Sequence, residues 1–184
     1  AGMTVFYWTG KTDQANAVAN AIRKEGEELS MVANSLPNRT RGGEPQWPET
    51  VSGAGKLADE NDSSPYVIDT LPIPLVNPWK SPLLLTGIDF DPDGNAYVCT
   101  LFGDVWKVSG IDESLRNVTW KRMISGLNST FGILWIDGAL YVGDKAELLA
   151  LHDLNGDDEI DFVQRMNQGF VGSGRNVHTG LFRD

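Results

Sequence analysis

Between Leu83 and Leu151 short apolar runs alternate with tight polar turns, and one pattern is written twice. Gly87-Ile88-Asp89-Phe90-Asp91-Pro92-Asp93-Gly94-Asn95-Ala96-Tyr97-Val98 aligns with Gly132-Ile133-Leu134-Trp135-Ile136-Asp137-Gly138-Ala139-Leu140-Tyr141-Val142. The glycines stand 45 apart, whereas the Asp-Gly and Tyr-Val pairs stand 44 apart, so one residue is lost before the second Asp-Gly. Each copy predicts a strand, an Asp-Gly turn, a second strand, another tight turn and a third strand, this last at 104–108 and 147–151. A period in the forties built from hairpins is the mark of β-propeller blades. A third copy is expected to begin at Gly180-Leu181-Phe182-Arg183-Asp184, where the sequence ends. The fold expected is therefore mainly β: a partial β-propeller of about two blades plus the start of a third, behind a short strand-helix segment. Residues 84–151 should form two antiparallel units of four or nearly four strands. A chance match of two hairpins is the competing explanation.

Residues 1–36 follow another pattern and are expected to be a separate segment, the tail of a preceding module. Met3 to Trp8 suits a strand, Thr12 or Asp13 is placed to cap a helix, and Ala15, Val18 and Ile22 lie at helical spacing. Gly26 is expected to break that helix. Residues 37–64, rich in Gly, Pro and Ser and closing on Asp59-Glu60-Asn61-Asp62, read as a linker or long loop. The blades would occupy 65–184. Ala1 stands where an initiator Met is expected, which predicts that something upstream has been removed.

Composition narrows the function. A formal charge of −10 repels phosphate backbones, so nucleic acid is not expected as a partner. Cys99 is the only cysteine, which leaves no internal disulfide and no thiolate zinc cluster. It is expected in the core. The longest apolar runs fall far short of a membrane span.

The strongest chemical motif is Asp153-Leu154-Asn155-Gly156-Asp157-Asp158-Glu159-Ile160-Asp161. Alternate oxygen donors around a glycine suit calcium, with Asp153, Asn155, Asp157 and Asp161 as side-chain ligands. Five acidic groups in nine residues repel one another without a cation. A solvated acidic turn is the competing explanation. His178 lies in the glycine-rich run Gly172 to Gly180 and is the one group there suited to proton transfer at neutral pH. Arg175 beside it would favour an anionic or carbonyl-rich cofactor. Trp79, Trp106, Trp120 and Trp135 serve equally as blade core or as a sugar platform. Gly10-Lys11-Thr12 lacks the remaining glycine of a phosphate loop, and a capped helix is expected there.

From Gly42 onward the chain resembles the quinoprotein-like, membrane-bound dehydrogenase propeller family of planctomycetes and verrucomicrobia. Gly42-Gly43-Glu44-Pro45-Gln46-Trp47-Pro48-Glu49, Asn77-Pro78-Trp79-Lys80-Ser81, Gly103-Asp104-Val105-Trp106, Trp120-Lys121-Arg122 and Leu151-His152-Asp153-Leu154-Asn155-Gly156-Asp157 carry the likeness. The resemblance implies a sugar or alcohol dehydrogenase outside the cytoplasm, periplasmic or extracellular, that uses pyrroloquinoline quinone. Within it His178-Thr179-Gly180-Leu181 would supply the base and Arg175 a cofactor contact, while Glu159 would offer calcium its backbone carbonyl. The segment would be inactive alone, completed by a longer parent chain or a partner subunit. A non-catalytic, calcium-stabilised scaffold binding carbohydrate or a partner protein is the alternative.

Overall fold

In the computed structural model, residues 10–59, 65–145 and 147–166 are described. The chain divides into two compact units, Ala1–Gly42 and Gly43–Asp184. In the first, a 3-10 turn over Thr12–Gln14 leads into α1, Ala15–Arg39. Thr12 and Asp13 both lie in that turn, at the start of the helical segment. The helix runs through Gly26 without a break, contrary to expectation. A lone glycine costs only about 1 kcal/mol against alanine, and the alanines from Ala15 to Ala21 favour propagation. The strand expected over Met3 to Trp8 lies outside the described residues.

The second unit is mainly β and holds two antiparallel sheets, neither of them closed. Sheet one contains β1 (Thr50–Gly53), β2 (Leu85–Phe90), β3 (Ala96–Thr100), β4 (Val105–Ser109) and β5 (Val118–Ile124), in the order β1-β5-β4-β3-β2. Sheet two contains β6 (Gly132–Ile136), β7 (Ala139–Gly143), β8 (Leu148–His152) and β9 (Phe162–Arg165), in chain order. The two written copies take equivalent places. Gly87 and Gly132 sit on the first strand of each run, and Tyr97-Val98 and Tyr141-Val142 on the second. The missing residue is in the turn. Copy one crosses from Phe90 to Ala96 over a loop closed by the Asp91–Asn95 bond, with Gly94 at φ 85°. Copy two needs only Asp137 and Gly138 between paired Ile136 and Ala139, at φ 49° and 85°, as in the tight turns that match strand twist.

Burial follows from two cores, one on each face of sheet one. Tyr97, Cys99, Val105 and Met123 pack against Ile133, Leu140, Val142, Leu149 and Leu151 of sheet two. On the opposite face Ala96, Val98, Trp106, Val108, Val118 and Trp120 are covered by Leu71, Trp79 and Leu83. Strand β3 is therefore buried at every residue, which is why Ala96 to Thr100 reads as a nearly continuous apolar run. Cys99 is enclosed as expected, and burial pushes its thiol pKa up, against small lowering contributions from hydrogen bonds such as that of Thr86.

The sheets meet most closely at the repeated glycines. A Cβ added to Gly87 would stand 3.1 Å from the Cα of Gly132. The backbone of Trp135 donates to Asp89 across the same junction at 2.7 Å. Small residues recur at these positions because the first strands of the two sheets approach backbone to backbone. The stretch expected as linker contributes β1, which adds to the edge of sheet one with Thr50 opposite Lys121.

Candidate functional site

The acidic loop of sheet two finds its cations in sheet one. Tyr97, Lys107 and Lys121 lie side by side across β3, β4 and β5, so all three face sheet two. Lys107 reaches Asp158 at 2.6 Å and Lys121 reaches Glu159 at 2.5 Å. Glu159, only 5% exposed, also accepts the backbone N–H groups of Gln46 at 2.6 Å and Trp47 at 2.9 Å. Lys121 donates as well to the carbonyl of Trp47. The repulsion that the sequence sets up is thus relieved by two lysines and a lattice of amides. Glu159 acts here through its carboxylate.

The other members of the loop hold its backbone. Asp153 accepts from Gly156 at 2.7 Å and from Asp158 at 2.9 Å, and Asp157 accepts from Glu159 at 2.9 Å. Asn155 accepts from the N–H of Asp157 at 3.1 Å and donates its amide to the carbonyl of Gly43 at 2.9 Å. Asp161 takes the N–H of Gly43 at 2.7 Å and of Leu154 at 2.9 Å. Bonds of this kind are what Asp and Asn supply in turns. Among the described residues no group of three or more His, Cys, Asp or Glu is arranged to hold a metal ion. Calcium also accepts amide and carbonyl oxygens, so Asn155 and the Glu159 carbonyl would have to complete any shell. Arg175 and His178, the candidates for cofactor and proton transfer, lie outside the described residues.

Between the sheets, on the side of these turns, lies a cavity of about 350 Å³. Trp135 lines it, stacked on Tyr97 with ring centroids 4.9 Å apart and planes 12° from parallel. Asp91 and Asp93 come from one turn, Asp153 and Asp158 from the acidic loop. Asp91 is the organising group of its turn. It accepts from the N–H of Asp93 and of Asn95, both at 2.9 Å, from the Asn95 amide at 2.8 Å and from the Tyr97 hydroxyl at 3.1 Å. Burial would raise its pKa, but these hydrogen bonds together outweigh that and hold it below the usual carboxylate value. Tyr97 moves the other way. Burial first, then the charge of Asp91, pushes its hydroxyl pKa well up, so it stays neutral and donating.

A third polar group, which composition and spacing do not disclose, sits in the wrapped core of sheet one. Arg122 pairs with Asp104 at 2.7 Å and has Trp47, Trp79 and Trp106 around its guanidinium at 5.3 to 5.9 Å. These five residues come from four separate stretches of sequence, with only Asp104 and Trp106 near one another, so no local pattern joins them. The hint in the sequence lay in the tryptophans, of which Trp79 and Trp106 read there as blade core or a sugar platform. Comparison with protein-family models, with curated proteins and with solved structures finds no match. No helix among the described residues is long and apolar enough to cross a membrane.

Proposed function

We propose that the two sheets are neighbouring blades of a β-propeller, completed by a longer parent chain or a partner subunit, and that this pair is scaffold. The contact of Gly87 with Gly132 carries the reading, because equivalent first strands drawn together fit blades radiating from an axis. The buried charges support a structural role. Asp104, Arg122 and Glu159 are all spent in ion pairs within the fold. In the structure of the full-length protein, β2 and β6 are expected to line a common axis. Finding either strand on the outer edge of its sheet group would overturn the assignment.

The resemblance and the run His178-Thr179-Gly180-Leu181 favour a second reading. In it the completed ring, periplasmic or extracellular, oxidises a sugar or alcohol with pyrroloquinoline quinone as hydride acceptor. His178 would take the proton from the substrate hydroxyl, and Arg175 would face the quinone. The residues of the two sheets would supply support. The full-length protein with quinone, calcium and a panel of sugars separates the readings. The scaffold predicts no dye reduction, whereas turnover abolished by His178→Ala establishes the dehydrogenase.

Calcium belongs to both readings, held by Asp153, Asn155, Asp157, Asp161 and the carbonyl of Glu159. Because the loop is already closed by its own hydrogen bonds, losing the ion should weaken the fold without unfolding it. A ligand at a hundred times its Kd adds about 2.7 kcal/mol, so calorimetry should show a melting temperature several degrees lower in EDTA. An unchanged melting temperature would leave Lys107 and Lys121 as the loop's only cations.

A further inference from the structure

Resting on the blade reading above, we propose that Ile88 and Phe90 are the docking surface for a further sheet of the same pattern. The parent chain supplies that sheet, which carries a tyrosine at the position equivalent to Tyr97. The two copies hold the same register. Ile88 and Phe90 stand opposite Val98 and Ala96, as Ile133 and Trp135 stand opposite Val142 and Leu140. Their side chains fare differently. In the second copy Ile133 is buried in the core it shares with Tyr97 and Cys99 of sheet one, and Trp135 stacks on Tyr97. In the first copy Ile88 is 54% exposed and Phe90 50%. Two large apolar side chains on one strand are thus half in water, where the matching pair is covered by a neighbouring sheet.

The contact already present between the sheets defines the occupant. Ile88 and Phe90 share the face of Val98 and Ala96, which is turned away from sheet two. There Leu71, Trp79 and Leu83 cover side chains of β3, β4 and β5, and the cover stops short of Ile88 and Phe90. Sheet two meets sheet one through its first strand, with β6 against β2 and β3. A further sheet needs the same inner contact, its first two strands against β2, and that end of the face is open. Phe90 then takes the part of Trp135, its ring against a tyrosine. A peptide added to the edge of β2 would fit less well. Edge pairing runs in the plane of the sheet, while these two side chains stand out of it. The sheets that already stack in this way belong to one chain, joined by residues 125–131, which favours the parent chain over a second copy.

The test places the photo-crosslinker p-benzoylphenylalanine at position 90 of the full-length protein and maps the captured peptide by mass spectrometry. The expected capture is the second strand of another Gly-Ile repeat in the same chain, at or beside its tyrosine. A second measurement compares melting temperatures for Ile88→Ser/Phe90→Ser. The substitutions should leave the 184-residue chain unchanged, because both side chains are exposed in it, and lower the full-length protein by several degrees. Capture of the Tyr141 strand of a second copy, of a segment without the repeat, or of nothing would each overturn the proposal. Equal melting shifts in the two proteins would do the same. None of these results moves β2 and β6 off a common axis, the finding that overturns the blade reading, so the two can fail separately.

Discussion

Asp104→Ala is expected to cost about 3–5 kcal/mol in urea unfolding, a large part of the stability of a domain of this size. Asp104 is 1% exposed and Arg122 8%, and the arginine is held among three indoles. Removing the carboxylate leaves a guanidinium in that cage with no counter-charge. It also frees the hydroxyl of Ser81, which donates to Asp104. Ser81 closes a tight loop with Asn77, through bonds of 2.8 and 3.0 Å, and that loop belongs to the wrap bearing Trp79. The loss should therefore spread from the ion pair to the cover of sheet one. Charge, and not volume, is the cause if the double variant Asp104→Leu/Arg122→Met recovers much of the deficit. A single variant within 1 kcal/mol of the parent, or a double variant no better than the single, would refute this account.

The contrast between what local pattern disclosed and what it hid follows from sequence distance. The hairpins of the two copies were legible because their signals are local: an Asp-Gly turn between alternating apolar positions fixes register within a dozen residues. Even the missing residue had a local cause, a shorter turn at Asp137-Gly138. Strand β1 was hidden because Thr50-Val51-Ser52-Gly53 has little apolar content, and its partner, β5, lies some seventy residues on. The same holds for Glu159. Its spacing suggested a calcium loop, but its carboxylate answers to Gln46, Trp47 and Lys121, none of them near it in sequence. The lysines that balance the acidic loop pair with it from the other sheet. Reading the acidic loop by itself could only show the repulsion, and its relief by Lys107 and Lys121 became visible with the register of β4 and β5.

Gly103→Ala is expected to destabilise the protein by about 3 kcal/mol or more, because two costs coincide at one residue. Gly103 adopts φ 83° in the turn between β3 and β4, where an L side chain is strained. Its Cβ would also fall 1.8 Å from the carbonyl oxygen of Leu127 and 2.6 Å from the carbonyl carbon. These are backbone atoms of the connection that carries the chain from sheet one to sheet two, and Leu127 donates its N–H to Gly103 at 3.1 Å. Relief requires that connection to move. It is tied down further along, where Thr130 donates to the carbonyl of Thr100 and Thr86 donates to the carbonyl of Thr130, both at 2.6 Å. The strain should consequently reach the core between the sheets. Gly94→Ala is the control: it has the same backbone hand, φ 85°, but open space around the Cβ, so only the conformational cost of about 1 kcal/mol should appear. Trimming the Leu127 side chain in a Gly103→Ala/Leu127→Ala protein should give no rescue, since the clash is with backbone. Equal losses at Gly94 and Gly103, or rescue by Leu127→Ala, would show that the two sheets are not joined through this contact.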